Sequence, residues 1–388
     1  MIKIVHFSNG GTGGVQSVIQ NLLQYSKNVQ IENHVILTIN EYTAKDYVAP
    51  SFPEAASIQT FFYQSTWNFT YTCKLLAELL PDSSSIIVAH DWLELGMVST
   101  LGLPNPVVQV LHGDYDYYYD LARLHESSIN GFIGVSNTIA NKLKNKLPHR
   151  ASQVVALDLP VPDVAPIIHS KLGYDIIFIG RCIEGKGYHL LPEIASSLNS
   201  VTTVTWHIYG PGSLEVSNQS IWHKEVRVNF YGFIPSETIL KQLPQMDFLL
   251  LPSIAEGMPV AVIEAMKAGV IPLVNHLGGG VEELIGSNNE RGYLINENKV
   301  EDYIINLKKL IKNQGHKAAL AEKASIYARK RFHPEKCTVA FEEFFLLASK
   351  ENNTSRKPKR VYGSRLDQDW IPNSITNFVR SRLMKYKN

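Results

Sequence analysis

The feature that most constrains this chain is an alternation of short apolar runs with helical patterns. The first unit is the apolar run Ile2–Phe7, which is followed by a glycine-rich turn at residues 10–14 and by apolar residues at helical spacing from Val15 to Leu22. Repeated alternation of this kind predicts a parallel sheet that is covered by helices on both faces. The further elements predicted in this series are strands at His34–Thr38, Ser85–His90, Val107–Leu111 and Gly131–Val135 and helices at Tyr71–Leu80 and Thr138–Leu147.

A second series of the same kind follows the segment Pro160–Pro166, whose prolines disfavour a helix and stiffen the connection. Its predicted strands are Asp175–Gly180, Thr203–Tyr209, Val226–Tyr231, Asp247–Pro252 and Val270–Val274. Its predicted helices are Tyr188–Leu198, Ser236–Leu243, Pro259–Ala268, Val300–Lys312 and Lys317–Arg331. The sequence therefore predicts an α/β protein in which two Rossmann-like domains, at 1–165 and 166–345, face a central cleft, with a tail at 346–388. Open parallel sheets bind ligands outside the carboxyl ends of their strands, so functional residues are expected there.

The composition excludes several classes of protein. Of the 388 residues, 45% are apolar and 19% are charged, which is ordinary for a globular protein and excludes a largely disordered chain. The net charge of +1 argues against a nucleic-acid partner, because such binders carry a basic surplus. Three widely spaced cysteines fit a reducing compartment without a disulfide framework. No apolar window is long enough to span a membrane and the N-terminus lacks the features of a signal peptide, so a cytoplasmic protein is expected.

The near-neutral total conceals a basic C-terminal tail. Residues 356–388 contain nine Lys or Arg and two Asp or Glu, whereas the remaining residues carry 28 basic and 34 acidic groups. The tail interleaves apolar and aromatic residues with the basic residues Arg380, Arg382, Lys385 and Lys387. One interpretation is peripheral contact with the anionic inner face of a membrane, and the other is a helix that packs back across the N-terminal domain. Both can hold for different parts of the tail, with the aromatic half docked and the basic half facing lipid.

The strongest chemical signal is the segment 252–269, in which a strand ends, a polar turn follows and a helix begins. Pro259 suits the first position of that helix, and backbone N–H groups near Gly257, at a positive helix end, are suited to a phosphate. Glu264 in the second turn can accept both hydroxyls of a ribose, and Glu256 can do the same for a sugar hydroxyl. For an isolated pair at this spacing, solvated carboxylates at a helix end are the more ordinary interpretation.

This Glu-x7-Glu pattern, in its strand–turn–helix setting, resembles the signature of retaining GT-B glycosyltransferases, in particular family 4, the glycosyl transferases group 1. Three further segments are similar to parts of that family and occur in the same order. They are Ile177–Arg181 with Glu184–Gly187, the glycine turn Tyr209–Gly212 and the loop Asn229–Pro235. The resemblance is specific over residues 176–285 and looser over the first 160.

The resemblance implies a role for each matching residue. Arg181 and Lys186 would grip the donor diphosphate, where fixed cations stabilise the charge that the leaving group gains in the transition state. A surface ion pair with Glu184 is the structural alternative for these two cations. The residues with a predicted catalytic role, including two that would position the transferred sugar, are His112, Arg181, Lys186 and Glu256. The residues with a predicted donor-binding role are Gly13, Gly14, Gly210, Gly232, Phe233, Ile234, Gly257, Met258, Pro259 and Glu264.

Several features of the N-terminal half allow more than one interpretation. The glycines at 10–14 lack the spacing of a dinucleotide loop and suit a tight turn equally well. Ser136, at the end of a predicted strand, resembles a position near the cleft. Asp114 and Asp116 have the Asp-x-Asp pattern of metal-dependent GT-A transferases, but coincidence is the better interpretation because Arg181 and Lys186 already supply cations. The tyrosines at 115 and 117–119 suit either stacking on sugars or an apolar surface loop.

The function that the resemblance implies is transfer of a hexose from a nucleotide diphosphate sugar, with UDP favoured, to an acceptor hydroxyl with retention of anomeric configuration. The expected acceptor is a saccharide or lipid-linked saccharide of surface-polysaccharide or lipopolysaccharide synthesis. No metal and no other cofactor is expected, and a diphosphate oxygen is expected to take the acceptor proton. Two alternatives stay open: a sugar-nucleotide epimerase of the same fold and, less favoured, an NAD-dependent oxidoreductase that uses the N-terminal glycines.

Overall fold

A computed structural model describes residues 1–11, 13–42, 50–164, 173–217, 220–296, 299–350 and 356–385. The chain forms two compact units. Unit 1 comprises Met1–Val135, Ala140–Leu157 and Thr338–Asn388, and unit 2 comprises Ser136–Ile139 and Asp158–Cys337. The chain therefore passes from unit 1 to unit 2 after residue 157 and returns to unit 1 after residue 337. The domain boundaries predicted from the sequence are 165/166 and 345/346. Part of the predicted proline-rich connection, residues 165 and 166, lies outside the described residues.

Unit 1 is built on a parallel sheet of seven described strands in the order β3-β2-β1-β4-β5-β6-β7. The strands are β1 (Ile2–Ser8), β2 (Ile31–Asn40), β3 (Ser57–Tyr63), β4 (Ile86–Ala89), β5 (Val107–Leu111), β6 (Gly131–Gly134) and β7 (Val154–Ala156). The order runs outward from β1 in one direction to β3 and in the other direction from β4 to β7. The carboxyl ends of β1 and β4 therefore flank the point at which the strand order reverses, where such sheets bind ligands.

Helices connect the strands of unit 1. They are α1 (Gly14–Tyr25), α2 (Phe69–Ala77), α3 (Trp92–Leu101), α4 (Asp116–Leu124) and α5 (Asn137–Lys146), of which the first three residues of α5 belong to unit 2. Helix α3 begins with a capping box between Asp91 and Glu94 and ends at Gly102, whose φ of 64° favours glycine. The tyrosine segment lies in α4 from residue 116 onward, so of its two interpretations the surface loop is wrong there. Tyr118 and Tyr119 are buried on the inner face of that helix, and this burial explains why the segment is helical.

Unit 2 is built on a second parallel sheet, with six described strands in the order β10-β9-β8-β11-β12-β13. The strands are β8 (Tyr174–Ile179), β9 (Val204–Tyr209), β10 (Arg227–Gly232), β11 (Phe248–Leu251), β12 (Ile271–Asn275) and β13 (Tyr293–Ile295). The helices are α6 (Leu191–Asn199), α7 (Ser213–Ser217), α8 (Ser236–Gln242), α9 (Val260–Lys267), α10 (Gly279–Ile285), α11 (Val300–Lys312) and α12 (Gln314–Arg331). The core includes the fully buried Phe178, Trp206 and Phe248. The strand order reverses between β8 and β11, which places both predicted donor loops at one edge of the sheet.

The C-terminal part of the chain forms α13 (Pro334–Ser349) and α14 (Asn373–Lys385). Polar contacts hold the tail against the N-terminal part of unit 1: the Asn68 side chain donates to the carbonyl oxygens of Leu366, Gln368 and Ile371 at 3.0–3.2 Å. Arg380 pairs with the buried Asp367 and donates to the Trp67 carbonyl at 2.6 Å.

The tail does not divide into a docked aromatic half and an outward basic half. Trp370 and Phe378 are 80% and 57% exposed, whereas Arg380 pairs with Asp367 and donates to the Trp67 carbonyl, so that prediction is wrong for these three residues. Arg382 is exposed, while the Lys385 side chain and Lys387 lie outside the described residues. The reason is local: the carboxylate of Asp367 is fully buried in a polar cluster, and a buried carboxylate needs a cation.

Cys73, Cys182 and Cys337 are free thiols. Among the described helices, none combines the length and the apolar character needed to cross a bilayer.

Candidate functional site

The turn between β11 and α9 carries the two glutamates that the sequence singled out. The turn is held in place because the Ile254 N–H donates to the Gly185 carbonyl at 3.2 Å, which ties it to the loop after β8. Beneath it, the buried Asn275 donates to the Ser253 carbonyl at 2.9 Å and accepts from Tyr303 at 2.9 Å. Helix α9 begins at Val260, one residue later than predicted, with Pro259 as its N-cap.

Lys186 and Glu256 form an ion pair across the two loops, with Nζ and Oε1 2.6 Å apart. Their side chains are 26% and 13% exposed, so the pair is reachable from solvent but only partly hydrated. The alternative partner, Glu184, is exposed and makes no ion pair with Lys186 in the described structure. Two residues predicted to act together from positions 70 residues apart are thus in direct contact.

Gly187 explains how the two loops come so close. Its φ is +70°, and a Cβ at this position would lie 2.0 Å from the Pro252 carbonyl oxygen. A side chain would therefore be strained by the backbone and would also collide with the β11 loop. A similar approach occurs at the ends of β8 and β9, where a Cβ on Gly210 would lie 2.1 Å from the Gly180 carbonyl oxygen.

Arg181 lies two residues after the end of β8 and is exposed. Within the described residues its side chain makes no ion pair or hydrogen bond, which leaves its guanidinium available to an anion. Lys186 lies in the next turn of the same loop. The two predicted diphosphate-binding cations thus occupy one loop, one of them free and the other already paired with Glu256.

Glu264 is buried in the second turn of α9, with 5% of its surface exposed. The Ser236 hydroxyl donates to its Oε1 at 3.3 Å, and no other hydrogen bond reaches the carboxyl from the part of the chain that the structure describes. Burial raises the pKa of Glu264 to about 7, since the hydrogen bond from Ser236 and the charge of Lys267 offset only part of the desolvation. A buried carboxyl with spare acceptor capacity is suited to a ligand that brings its own hydroxyl donors.

Lys267, one turn after Glu264, has a structural role. It is fully buried, and its Nζ donates to the carbonyls of Val161 and Phe332 at 2.6 and 2.8 Å and to Asp163 at 2.9 Å. Its charge is therefore held by other partners, and it does not close an ion pair on Glu264.

The loop after β10 reaches the same region through Ser236. Gly232, with φ +71°, donates its N–H to the Ser213 hydroxyl at 2.6 Å, which fixes the start of the loop. Phe233 is 46% exposed and Ile234 is partly buried. Phe233 thus offers an exposed aromatic stacking surface three residues before Ser236, whose hydroxyl donates to Glu264.

Gly257, Met258 and Pro259 are buried at the start of α9. A Cβ on Gly280 would lie 2.1 Å from the Gly257 carbonyl oxygen, so α10 can approach this turn only because Gly280 lacks a side chain. Sequence reasoning missed residues 278–280, although three consecutive glycines shortly after a strand are a recognisable signal.

In unit 1, His112 follows β5 and is partly buried. Its Nε2 lies 2.7 Å from Nδ1 of His90, which follows the neighbouring strand β4, and the His6 ring stacks on His90 at 5.8 Å. Burial lowers the pKa of His6 to about 4 and that of His112 to about 3. Sequence reasoning missed His6 and His90, although both lie at or after the end of apolar strands that meet at the same sheet edge.

Gly13 and Gly14 are exposed at the start of α1, and a Cβ on Gly13 would meet no atom within 4 Å. The space beside this helix end is therefore open. Thr12, in the same predicted loop, lies outside the described residues.

The other polar features of the N-terminal half have structural partners. Asp114 pairs with Lys142 at 2.7 Å, and Asp116 with Lys146 at 3.5 Å. No group of three or more His, Cys, Asp or Glu among the described residues is arranged to hold a metal ion. Ser136 accepts from the Ile139 N–H at 3.2 Å and so caps the first turn of α5.

Residues 168–331 match the family model described as "Glycosyl transferases group 1", a span that covers most of unit 2. The resemblance to this group that the motifs indicate is confirmed, and assignment to family 4 stays a prediction.

Two curated relatives define the extent of the sequence likeness. A glycosyltransferase of Escherichia coli strain K12 named for colanic acid biosynthesis is 34% identical over 134 residues, which is 32% of each chain. An uncharacterized glycosyltransferase of Methanocaldococcus jannaschii is 21% identical over 351 residues, which is 86% of this chain and 94% of the relative. The matched part of the chain spans about a third of the length of the first curated relatives.

Among solved structures, Anabaena HepE in complex with UDP and glucose has a TM-score of 0.69 at 16% identity, covering 89% of this chain and 100% of that one. At this identity the likeness concerns the fold. The predicted GT-B fold, with two Rossmann-like domains and C-terminal helices, is confirmed.

Proposed function

We propose that this chain, in which residues 168–331 match the glycosyl transferases group 1, transfers a hexose from a UDP-sugar to an acceptor hydroxyl with retention of anomeric configuration. The observation that carries the proposal is the Lys186–Glu256 ion pair, together with the buried Glu264 in the helix that follows the turn of Glu256. A cation suits the diphosphate of a nucleotide sugar, and two carboxyls suit its sugar and ribose hydroxyls. UDP is favoured because the solved neighbour Anabaena HepE is a complex with UDP and glucose.

In the proposed reaction, the bond between the sugar C1 and the diphosphate oxygen breaks, and the diphosphate leaves with the bonding electrons. Arg181 and Lys186 stabilise this negative charge, which is larger in the transition state than in the ground state. The acceptor oxygen attacks C1 from the same face, and its proton passes to a diphosphate oxygen. Glu264 holds the ribose, and Glu256 positions the sugar. No metal is required in this scheme.

The Lys186–Glu256 pair has a further consequence for binding. With Glu256 2.6 Å away, the Lys186 ammonium is held in one place before the donor arrives, which lowers the entropic cost of binding. The arriving diphosphate adds negative charge beside the cation, and Glu256 is then available to accept a sugar hydroxyl. For His112 of unit 1 we keep the predicted role of contacting the transferred sugar.

We further propose a lipid-linked saccharide acceptor at the inner face of a membrane, contacted by the tail. The exposed apolar side chains of the tail are Trp370, Ile375, Phe378, Leu383 and Met384. The exposed cations of its described part are Lys357, Lys359, Arg360, Arg365 and Arg382. Apolar side chains among cations suit an anionic bilayer, to which each Lys or Arg contributes about 1 kcal/mol.

A thermal-shift panel of UDP-glucose, GDP-mannose and NAD tests the substrate class. We expect stabilisation by a sugar nucleotide that is lost in Lys186→Ala and kept in Lys317→Ala. Lys317 is a matched control, because it is also a partly buried lysine of unit 2 in an ion pair, with Asp247. Stabilisation by NAD alone would instead favour an oxidoreductase. Conversion of the sugar nucleotide into its epimer without cleavage would favour the epimerase.

A further inference from the structure

The His90–His112 contact is buried at the carboxyl edge of the sheet in unit 1. His90 is 3% exposed, and its ring is stacked against His6 with an interplanar angle of 22°. Its backbone N–H donates to Glu94 Oε1 at 2.7 Å, which fixes the main chain at the same point. The His6 ring thus packs on one face of the His90 imidazole, and the bond to Glu94 fixes the His90 backbone. Nδ1 of His90 faces Nε2 of His112 at 2.7 Å.

Both imidazoles are neutral near pH 7, because burial lowers the pKa of each, that of His112 to about 3. A hydrogen bond between two neutral rings contains one N–H, so two arrangements are available. Either His90 donates from Nδ1 and leaves its own Nε2 without a proton, or His112 donates from Nε2 and His90 carries its proton on Nε2.

The surroundings of His90 decide between the two arrangements. Nε2 of His90 is buried and has no hydrogen-bond partner in the described structure. A buried N–H without an acceptor is rarer and less favourable than an unprotonated nitrogen without a donor. The proton of His90 is therefore placed on Nδ1, where it has the acceptor His112 Nε2.

We propose that buried His90 donates from Nδ1 to Nε2 of His112 and so holds His112 in the Nδ1–H tautomer, as a positioning residue. His112 then presents a hydrogen-bond donor at Nδ1, which has no partner among the described side chains and backbone groups. It would stabilise an oxygen of the sugar or diphosphate and could not serve as the base for the acceptor proton. This use of the donor rests on the proposed function, whereas the tautomer itself does not.

The direct test is nitrogen NMR of the full-length protein with 15N-labelled histidine at about pH 7, with His112 assigned by the variant His112→Gln. We expect His112 of the wild type to carry its proton on Nδ1. In His90→Phe, which has no donor, we expect a mixture of both tautomers, and in His90→Asn, whose amide can donate, mostly the Nδ1–H form. His125→Asn is a control, because His125 is equally buried but bonds to Ser99 and Tyr362 at 2.7 and 3.0 Å.

The kinetic arm uses cleavage of UDP-glucose as the probe. We expect His90→Phe to lower kcat about tenfold, the rate equivalent of one weakened hydrogen bond, with donor affinity unchanged and with partial rescue in His90→Asn. A proton on Nε2 of wild-type His112, or the same tautomer in His90→Phe as in the wild type, would overturn the inference. The expected tautomers without any change in kcat would support the inference and overturn the role of His112 in transfer. If His90→Phe does not fold, the tautomer of His112 in the wild type and in His90→Asn still decides whether the inference holds.

Discussion

Replacing Glu264 by glutamine tests the donor site through its pH dependence. Burial raises the pKa of this carboxyl to about 7 from its ordinary value of 4.5. Ribose hydroxyls donate hydrogen bonds to an ionised carboxylate, so a bound donor favours the charged form and lowers the pKa again. Donor affinity should therefore be highest above pH 7 and should fall as the pH drops through about 7, by about tenfold between about pH 8 and pH 6.

The raised pKa of Glu264 also makes folding stability depend on pH, but in the opposite direction to donor affinity: the contribution of this group to stability is highest at low pH. Because the folded pKa lies above the unfolded one, the unliganded protein binds a proton more tightly when folded. The free energy of unfolding should thus decrease by about 3 kcal/mol as the pH rises from about 4.5 to about 7. Glu264→Gln removes this part of the pH dependence, since the amide does not titrate.

Calorimetric titration with UDP-glucose measures the effect. UDP itself is unsuitable, because its terminal phosphate titrates near about pH 6 and would add its own pH dependence, whereas UDP-glucose has no terminal phosphate. At about pH 8, Glu264→Gln should bind about 10 to 100-fold more weakly, because two hydroxyls lose a charged acceptor. Below pH 7 the difference should shrink. Glu342→Gln is the matched control: Glu342 is also a buried glutamate that accepts from a serine, Ser26, and burial raises its pKa as well. Unchanged affinity in Glu264→Gln, or an unchanged pH slope, would refute the assigned role.

Three further outcomes are expected. Cleavage of UDP-glucose should survive EDTA, and loss of activity that Mn²⁺ restores would make Asp114 a better candidate for the diphosphate site. Gly187→Ala should destabilise the protein by at least about 1–2 kcal/mol in urea unfolding, since its φ of +70° disfavours any side chain. Gly185→Ala, where a Cβ meets no atom within 4 Å, should stay near the wild type, and equal effects of the two changes would contradict the loop geometry. Wild-type protein should bind anionic vesicles in a salt-sensitive way. Replacing Trp370 and Phe378 with serine should weaken that binding about tenfold or more, with sugar-nucleotide cleavage unchanged. Equal binding of the wild type and this double variant would favour a purely structural tail.

The sequence predicts the central strands and the long amphipathic helices well. Strand β5 and helix α11 have the predicted bounds, because both carry a strong apolar pattern. The missed strands β3, β7 and β13 are sheet-edge strands. Two of them have three residues each, and β3 is buried at only one position, so their apolar signal is weak. Helix α3 was missed for the opposite reason, since it is buried on nearly every side and lacks a periodic polar face.

The sequence predicts which residues of the candidate site lie at one sheet edge, because residue types and strand ends can be recognised in it. Lys186, Glu256 and Glu264 follow strands of one parallel sheet, and that topology brings them to one edge. The Lys186–Glu256 contact itself depends on Gly187 and on an approach of two loops, which no local pattern specifies. The same limit applies to His90, whose importance appears only when β4 and β5 are paired.

The tail shows where a charge count misleads. Arg380 was predicted to face lipid because it belongs to a basic segment, but it is the cation that compensates the buried Asp367. Net charge describes the field of a surface, whereas individual ion pairs depend on which carboxylates the fold buries.

The central claim is that the Lys186 loop and the β11–α9 turn cleave a sugar nucleotide at the sugar C1. Proton NMR of UDP-glucose mixed with the protein measures this most directly, because it resolves the intact donor, the released sugar and the anomer that forms first. The account predicts release of UDP with the α-anomer of glucose first, at a rate that Lys186→Ala lowers and Lys317→Ala leaves unchanged. A first product of β configuration would contradict retention, and equal rates in the wild type and Lys186→Ala would contradict the assigned site.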